Sequence, residues 1–330
     1  MLFLSWSSGV EAASPAKPIQ LIFAHHIPAS IKITKPFEEW MKRIEEQSQN
    51  RVKFKYYPGG TLVKPREAYD ALLGGICDIN FIYAGYETER WALNSVFGLS
   101  AIKLPVNEKA SGVWDKLWNK FPEMRNEFEG VEALYKVIGQ GSTLHHAKKE
   151  IRVPKDITGS RIIVTGFKSD FIKECGASPV DLPAPEFYMS LERGVADAVM
   201  VSWVTVYGRG CAELVPYHTE LNMGQNAFCL LMNSEKWASL PNDIQKIIRD
   251  NTDWVREQYY IVENQLQTQA KEKTLALPGH VNIVPTASEI DQWMQYAMPS
   301  AQKWIARQES NGKPGEAVFE EALRLSKSVK

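Results

Sequence analysis

The 330-residue chain has no long hydrophobic run, no excess of either charge and only four cysteines. Each lack excludes something. No apolar stretch reaches the ~18–20 residues that a membrane-crossing helix needs. Basic and acidic residues number 38 and 39, for a formal net charge of -1, so nucleic acid is not expected as a partner; phosphate binding needs a strongly basic surface. Cys77, Cys175, Cys211 and Cys229 form no CxxC pair and no Cys/His cluster with zinc spacing. An oxidising compartment leaves a disulfide open, but Cys77, Cys175 and Cys229 sit among apolar residues and read as small buried hydrophobes. Catalytic signatures are missing too: no GxSxG elbow, no HExxH, no Walker A loop and no EF-hand loop. Gly208 and Gly210 lack the third glycine of a dinucleotide fingerprint, and the glycines around Ser142 read as a hinge or turn. The expectation is a protein that is not an enzyme and carries no cofactor or metal.

What is present is a repeat. "EAYDALLGGICDINFIY" begins at Glu67 and "EFYMSLERGVADAVMVSW" at Glu186. They share E-x-Y-x-x-L-x-x-G-x-x-D. In each copy a short helix would lay Tyr and Leu (i, i+3) against a sheet. Gly75 and Gly194 would take the left-handed position after the helix, and Asp78 and Asp197 would open the next strand. Around the first copy, the strand-like run 19–26 is followed by Phe37, Trp40, Met41 and Ile44 at helical spacing, then by the alternating "RVKFKYYPGG". Strand alternating with helix points to a parallel-rich α/β sheet, and the repeat to two such lobes. The sequence-based boundaries are a tail at 1–17, lobe I at 18–140 plus about 222–250, and lobe II at 141–221 plus about 280–330. One long helix at about 241–276 would brace both lobes. The tail reads "MLFLSWSSGVEAASPAKP": a short apolar start, small residues and the A-x-A-like Val10-Glu11-Ala12. It is either the remnant of a signal peptide, with the mature chain starting near Ala13–Lys17, or a disordered tail.

In open α/β sheets, ligands sit beyond the carboxyl ends of the strands. With two lobes, the guest lies between them and closure buries it. That rule selects His25 and His26, Tyr83 and Tyr86, then Thr165, Phe167 and Lys168, and lastly Ser202, Trp203 and Tyr207. Neighbouring strand residues point to opposite faces, so neither His25-His26 nor His145-His146 is expected to chelate one metal. One member of each pair is expected at the cleft.

The stretches "YPGGTLVKPREAYDALLGGICDINF", "VPKDITGSRIIV", "GASPVDLPAPEFYMSLERGVADAV" and "LLMNSEKWASLPNDIQKII" together resemble the periplasmic solute-binding subunits of TRAP transporters, the DctP type. The resemblance runs from about residue 19 past 260. It implies a hinged two-lobed fold with a long helix across both lobes, export to the periplasm through a signal peptide, and delivery of a small organic ligand to membrane permease subunits; a monomer is expected. It also exposes departures. The arginine of the family's G-x-K-x-R, which holds a substrate carboxylate, falls on Ile163, and the asparagine of D-G-x-x-N-P falls on Val201. Aligned with sialic-acid-binding relatives, a further arginine position falls near Thr143, and polar first-lobe positions fall on His26 and Tyr83. The expected ligand-binding set is therefore His25, His26, Tyr83, Tyr86, Thr143, His145, Ile163, Phe167, Trp203 and Tyr207. Any ligand anion would be met by His26, His145, Lys168 or Arg66, and a histidine contact would make binding pH-sensitive near ~6.5. Exchange of charge for apolar surface points to a more hydrophobic or aromatic acid than a C4-dicarboxylate. A binding protein serving a sensor, or an enzyme on the same scaffold, is the alternative.

Overall fold

The computed structural model describes residues 17–106 and 108–329. The signal-like stretch lies outside the described residues. Eleven strands are seen among them: β1 (Ile19–His25), β2 (Val52–Tyr57), β3 (Ile79–Tyr83), β4 (Val131–Ile138), β5 (Ser142–His146), β6 (Arg161–Val164), β7 (Ser178–Asp181), β8 (Ala198–Val201), β9 (Tyr217–Met223), β10 (Ala227–Asn233) and β11 (Val281–Ile283). They form two sheets, ordered β2-β1-β3-β10-β4 and β11-β9-β5-β8-β6-β7.

The two sheets share a plan. In the first, β1 pairs in parallel with β2 and β3; in the second, β6 does so with β7 and β8. Each of these triplets is followed in the sheet by an antiparallel strand, β10 beside β3 and β5 beside β8. That strand arrives from the other lobe. The chain crosses once between β4 and β5 and again between β9 and β10, so each lobe holds a strand that the other has just fed to it.

The repeat is the joint of this plan. Gly75 and Gly194 have φ of 69° and 64°, where a side chain is disfavoured. The amide of Ile76 donates to the Ala71 carbonyl at 2.9 Å, and that of Val195 to Ser190 at 2.8 Å. Gly75 and Gly194 donate to Leu72 and Leu191. Both helices thus end in the same Schellman turn. The aspartate has a matched job as well. Asp78 exchanges bonds with Ile22 of β1, its carboxylate accepting from the Ile22 amide at 2.7 Å; Asp197 does the same with Arg161 of β6 at 3.0 Å. Each aspartate ties the third strand of its triplet to the first. The tyrosines do not match. Tyr69 is buried, but Tyr188 is half-buried and its neighbour Phe187 fills the second lobe's core instead.

The helix Lys35–Gln47 buries Phe37, Trp40, Met41 and Ile44 and stops where Gln49 and Asn50 turn left-handed. The expected brace at about 241–276 is two helices, Asn242–Asp250 and Thr252–Leu275, separated at Asn251. A second brace was not foreseen. The helix Ala287–Ser310 bonds lobe II through Trp293, whose indole donates to the Arg152 carbonyl, and lobe I through Trp304, whose indole donates to Ser95. The last helix, Gly315–Ser328, then packs on Glu108–Lys120 of lobe I, with Lys120 paired to Glu321 and Lys313 to Glu127. The sequence grouped this end with lobe II. Its amphipathic pattern shows that it needs a partner face, not whose.

Candidate functional site

A cavity of about 110 Å³ lies where the two sheets face each other. Lobe I supplies rings and aliphatic groups. His26 stands just past the end of β1, Tyr83 ends β3, Tyr86 follows it, and Phe228 opens β10. Tyr83 meets Tyr86 edge-on at 5.1 Å between centroids and leans on Phe228 at 5.2 Å. Ile27, Ile31 and Ile33 continue this wall. Lobe II supplies Thr165, Lys168, Met200, Val201, Ser202 and Arg209 from the ends of β6 and β8 and the turns after them, and the brace helix adds Tyr259 and Glu263.

The lobes touch around this cavity. The Ala184 amide donates to the Tyr86 hydroxyl at 3.1 Å, and the Arg209 guanidinium donates to the His26 carbonyl at 3.2 Å. Arg66 and Asp181 form an ion pair at 2.7 Å. A Cβ on Gly166 would come within 3.3 Å of Gly85, so glycine permits the close approach of the two backbones there.

Two cations face the cavity, and among the described residues neither has a carboxylate partner in an ion pair. Lys168 is 2% exposed. Its ammonium donates to Ser142 Oγ and Asn226 Oδ1, both at 3.0 Å, and burial pulls its pKa down to about 7. Gly224 makes room for it: a Cβ there would stand 2.7 Å from the lysine stem. Arg209 is half-buried, and desolvation lowers its pKa. Glu263 is the one carboxyl in the wall among the described residues, pushed up to about 7 by burial and partly restrained by the Gln140 amide that donates to it at 3.2 Å. His26 is held at about 3, first by burial and then by His25 and Arg209 beside it. It is neutral at physiological pH, so the expected histidine titration near 6.5 is replaced by groups near 7.

Of the residues expected from the sequence, His26, Tyr83 and Tyr86 line the cavity. Seven lie outside it. His25 is turned into the core of lobe I, its Nε2 on the Tyr56 hydroxyl at 2.6 Å, because strand neighbours alternate faces. Thr143 is buried beside Val201 in the sheet, and Ile163 is fully buried between Val180 and Val199. His145 and Trp203 pack together at 5.0 Å, with His145 Nδ1 on His218 Nδ1 at 2.7 Å and His218 Nε2 on His280 Nδ1 at 2.9 Å. That chain of histidines lies behind the cleft wall, and His146 is also buried away from the cleft, on Ser160. Phe167 sits under the Arg307 guanidinium, and Tyr207 is on the outside, 41% exposed, beneath Lys273. Arg66 is occupied by Asp181. The strand-end rule found Lys168, Thr165 and Ser202. It missed Arg209, Asn226, Phe228, Tyr259 and Glu263, which reach the cleft from a post-helix turn, the second crossing and the brace.

Residues 23–308 match the family described as bacterial extracellular solute-binding protein, family 7, the DctP family. The chain belongs to that family. Among curated proteins, it is similar to the outer membrane transporter protein TsaT of Comamonas testosteroni, 22% identical over 91% of this chain and 88% of that one. Two solved structures share the fold closely. One is a TRAP solute-binding protein from Rhodoferax ferrireducens in complex with copurified benzoate (TM-score 0.87, 21% identity, 94% of this chain and 98% of that chain). The other is a marine metagenome TRAP solute-binding protein specific for aromatic acid ligands, with 3-hydroxybenzoate (TM-score 0.87, 21% identity, 96% and 100%). The family's described work is the binding of an extracellular solute, and in this member the cavity lies between the two lobes. Family position Val201 lines the cavity as an apolar group; family position Ile163 does not reach it.

Proposed function

We propose that this chain captures a small, singly charged organic acid with an apolar or aromatic body, outside the cytoplasm, and hands it to the membrane subunits of a TRAP transporter. No bond is made or broken. The carboxylate is met by Arg209 and Lys168, which stand in for the arginine missing at Ile163. The body lies against Tyr83, Tyr86 and Phe228. The observation that carries this reading is the pair of cations with no carboxylate of their own, facing a wall of rings. A buried charge without a partner is costly, and an incoming carboxylate removes that cost. Size limits the guest to one ring or a short chain at most: an apolar cavity of ~150 Å³ accepts benzene, and this one, at about 110 Å³, is smaller. The aromatic acids held by the two solved relatives are consistent with this reading.

A thermal-shift and calorimetric screen of aromatic monocarboxylates, aliphatic monocarboxylates, C4-dicarboxylates, sulfonates and polyols tests it. A monocarboxylate at 100 times its dissociation constant should stabilise the fold by ~2.7 kcal/mol. Shifts confined to dicarboxylates or polyols would overturn the assignment.

A further inference from the structure

Glu263 has one oxygen employed and one idle. Oε1 accepts from the Gln140 amide. Oε2 is buried and has no hydrogen-bond partner. The side chain is 7% exposed and lines the cavity. Its placement is built: a Cβ on Gly139 would stand 2.8 Å from Oε1, and Asn226 locks Gln140 by donating to its carbonyl at 2.9 Å. A buried acceptor left unmade costs about 1–3 kcal/mol. No donor among the described residues reaches Oε2, and the cavity that Glu263 lines is the side from which one can arrive.

We propose that the ligand carries a hydroxyl group apart from its carboxylate, and that Glu263 Oε2 accepts from it and selects hydroxylated acids over their parent acids. The inference rests on the binding role proposed above. Charge decides between a hydroxyl and an ammonium donor. At pH 7 Lys168 and Glu263, both held near 7 by burial, offset each other's charge, and Arg209 leaves the walls one net positive charge, since His26 is neutral. A monoanion with a neutral donor balances it; a zwitterion leaves it standing. The Gln140 bond to Oε1 favours the ionised carboxyl, and a hydroxyl on Oε2 favours it further. A site built to bind a hydroxyl rejects the analogue without it far more strongly than an apolar pocket rejects a missing methylene, because the site's own polar group is then left unpaired.

The test is calorimetry on matched pairs: benzoate with its three monohydroxy isomers, phenylacetate with mandelate, and butyrate with 4-hydroxybutyrate. Aminobenzoates and a keto analogue provide the competing donors and acceptors. Each is titrated into the wild type, Glu263→Gln and Glu263→Leu. In the wild type the hydroxylated member of at least one pair should bind tenfold or more tightly than its parent. Glu263→Leu should abolish that ratio, and Glu263→Gln, which keeps an acceptor oxygen for Gln140, should retain part of it. The ratio within one variant is independent of any general loss of affinity. Equal binding of hydroxylated and parent acids, an unchanged ratio in Glu263→Leu, or preference for the keto or amino analogue would overturn the inference while leaving acid binding intact. Failure of every acid to bind the wild type would overturn the binding role itself, and this inference with it.

Discussion

The two lobes are built on one joint and carry different chemistry. Both close their repeat helix with a Schellman turn at glycine, and both pin the third strand to the first with an aspartate. At the strand ends the likeness stops. Lobe I offers the cavity His26, Tyr83, Tyr86 and Phe228, whereas lobe II offers Lys168 and Arg209. The lesson is that the repeated residues make the scaffold and the unrepeated ones after each strand make the site. Most of the rings come from one side and both cations from the other, so a guest meets both only when the lobes meet.

That division can be broken from either side. The largest effect should fall on the scaffold behind lobe II's wall. Trp203, packed on His145 and His218 and 3% exposed, should cost ~3–5 kcal/mol of stability as Trp203→Ala by the usual penalty for emptying a core aromatic site. Chemical denaturation measures it; a loss of affinity with unchanged stability would place this indole in the site after all.

Next comes the charge. Arg209→Met should weaken acid binding by ~2–5 kcal/mol, the range for removing one partner of a desolvated charge pair. Tyr83→Leu, on the other lobe, should cost only ~0.5–1.5 kcal/mol of affinity, the worth of an aromatic contact beyond its area. Equal losses from the two would erase the proposed asymmetry.

Lys168 sharpens it further through pH. Burial has lowered its pKa to about 7, and a bound carboxylate raises it again. Above pH 7 the free site has lost that proton and binding must take it up. Acid affinity should therefore fall as pH rises through and above 7, by up to about tenfold per unit, or ~1.4 kcal/mol. Arg209 supplies no such slope, whereas Glu263, itself near 7, adds to it as it ionises in the same wall. Isothermal titration at pH 6, 7, 8 and 9 reads it, and Lys168→Met should reduce the slope to the share of Glu263; an unchanged slope would remove Lys168 from the site.

The smallest effect is expected at the rim. Arg66 and Asp181 join the lobes at 2.7 Å but are 41% and 52% exposed. Arg66→Ala should change affinity by no more than ~1 kcal/mol, as exposed pairs do. A much larger loss would mean that this arginine, not Arg209, meets the anion.

Much of the fold could be read from the chain. The repeat exposed two lobes because its glycines and aspartates answer a local backbone demand that any copy of the joint must meet. Spacing marked the helix Lys35–Gln47 for the same reason: its buried face is written in residues a turn apart. The site was less legible. His25 and His26 are equal candidates until the face of β1 that meets the core is known; then His25 bonds Tyr56 and His26 turns to the cavity. Likewise the cavity brings Lys168, Arg209, Asn226 and Glu263 together from four different elements, and no window of sequence contains that meeting.

The sequence by itself determined the local joints, the periodic faces and the family, because each is a pattern of neighbours along the chain. Only the tertiary structure decided which cation stands without a partner and which carboxyl keeps an idle oxygen. Those are properties of distance and desolvation between remote segments, and they come into being when the two crossings and the braces bring the sheets face to face.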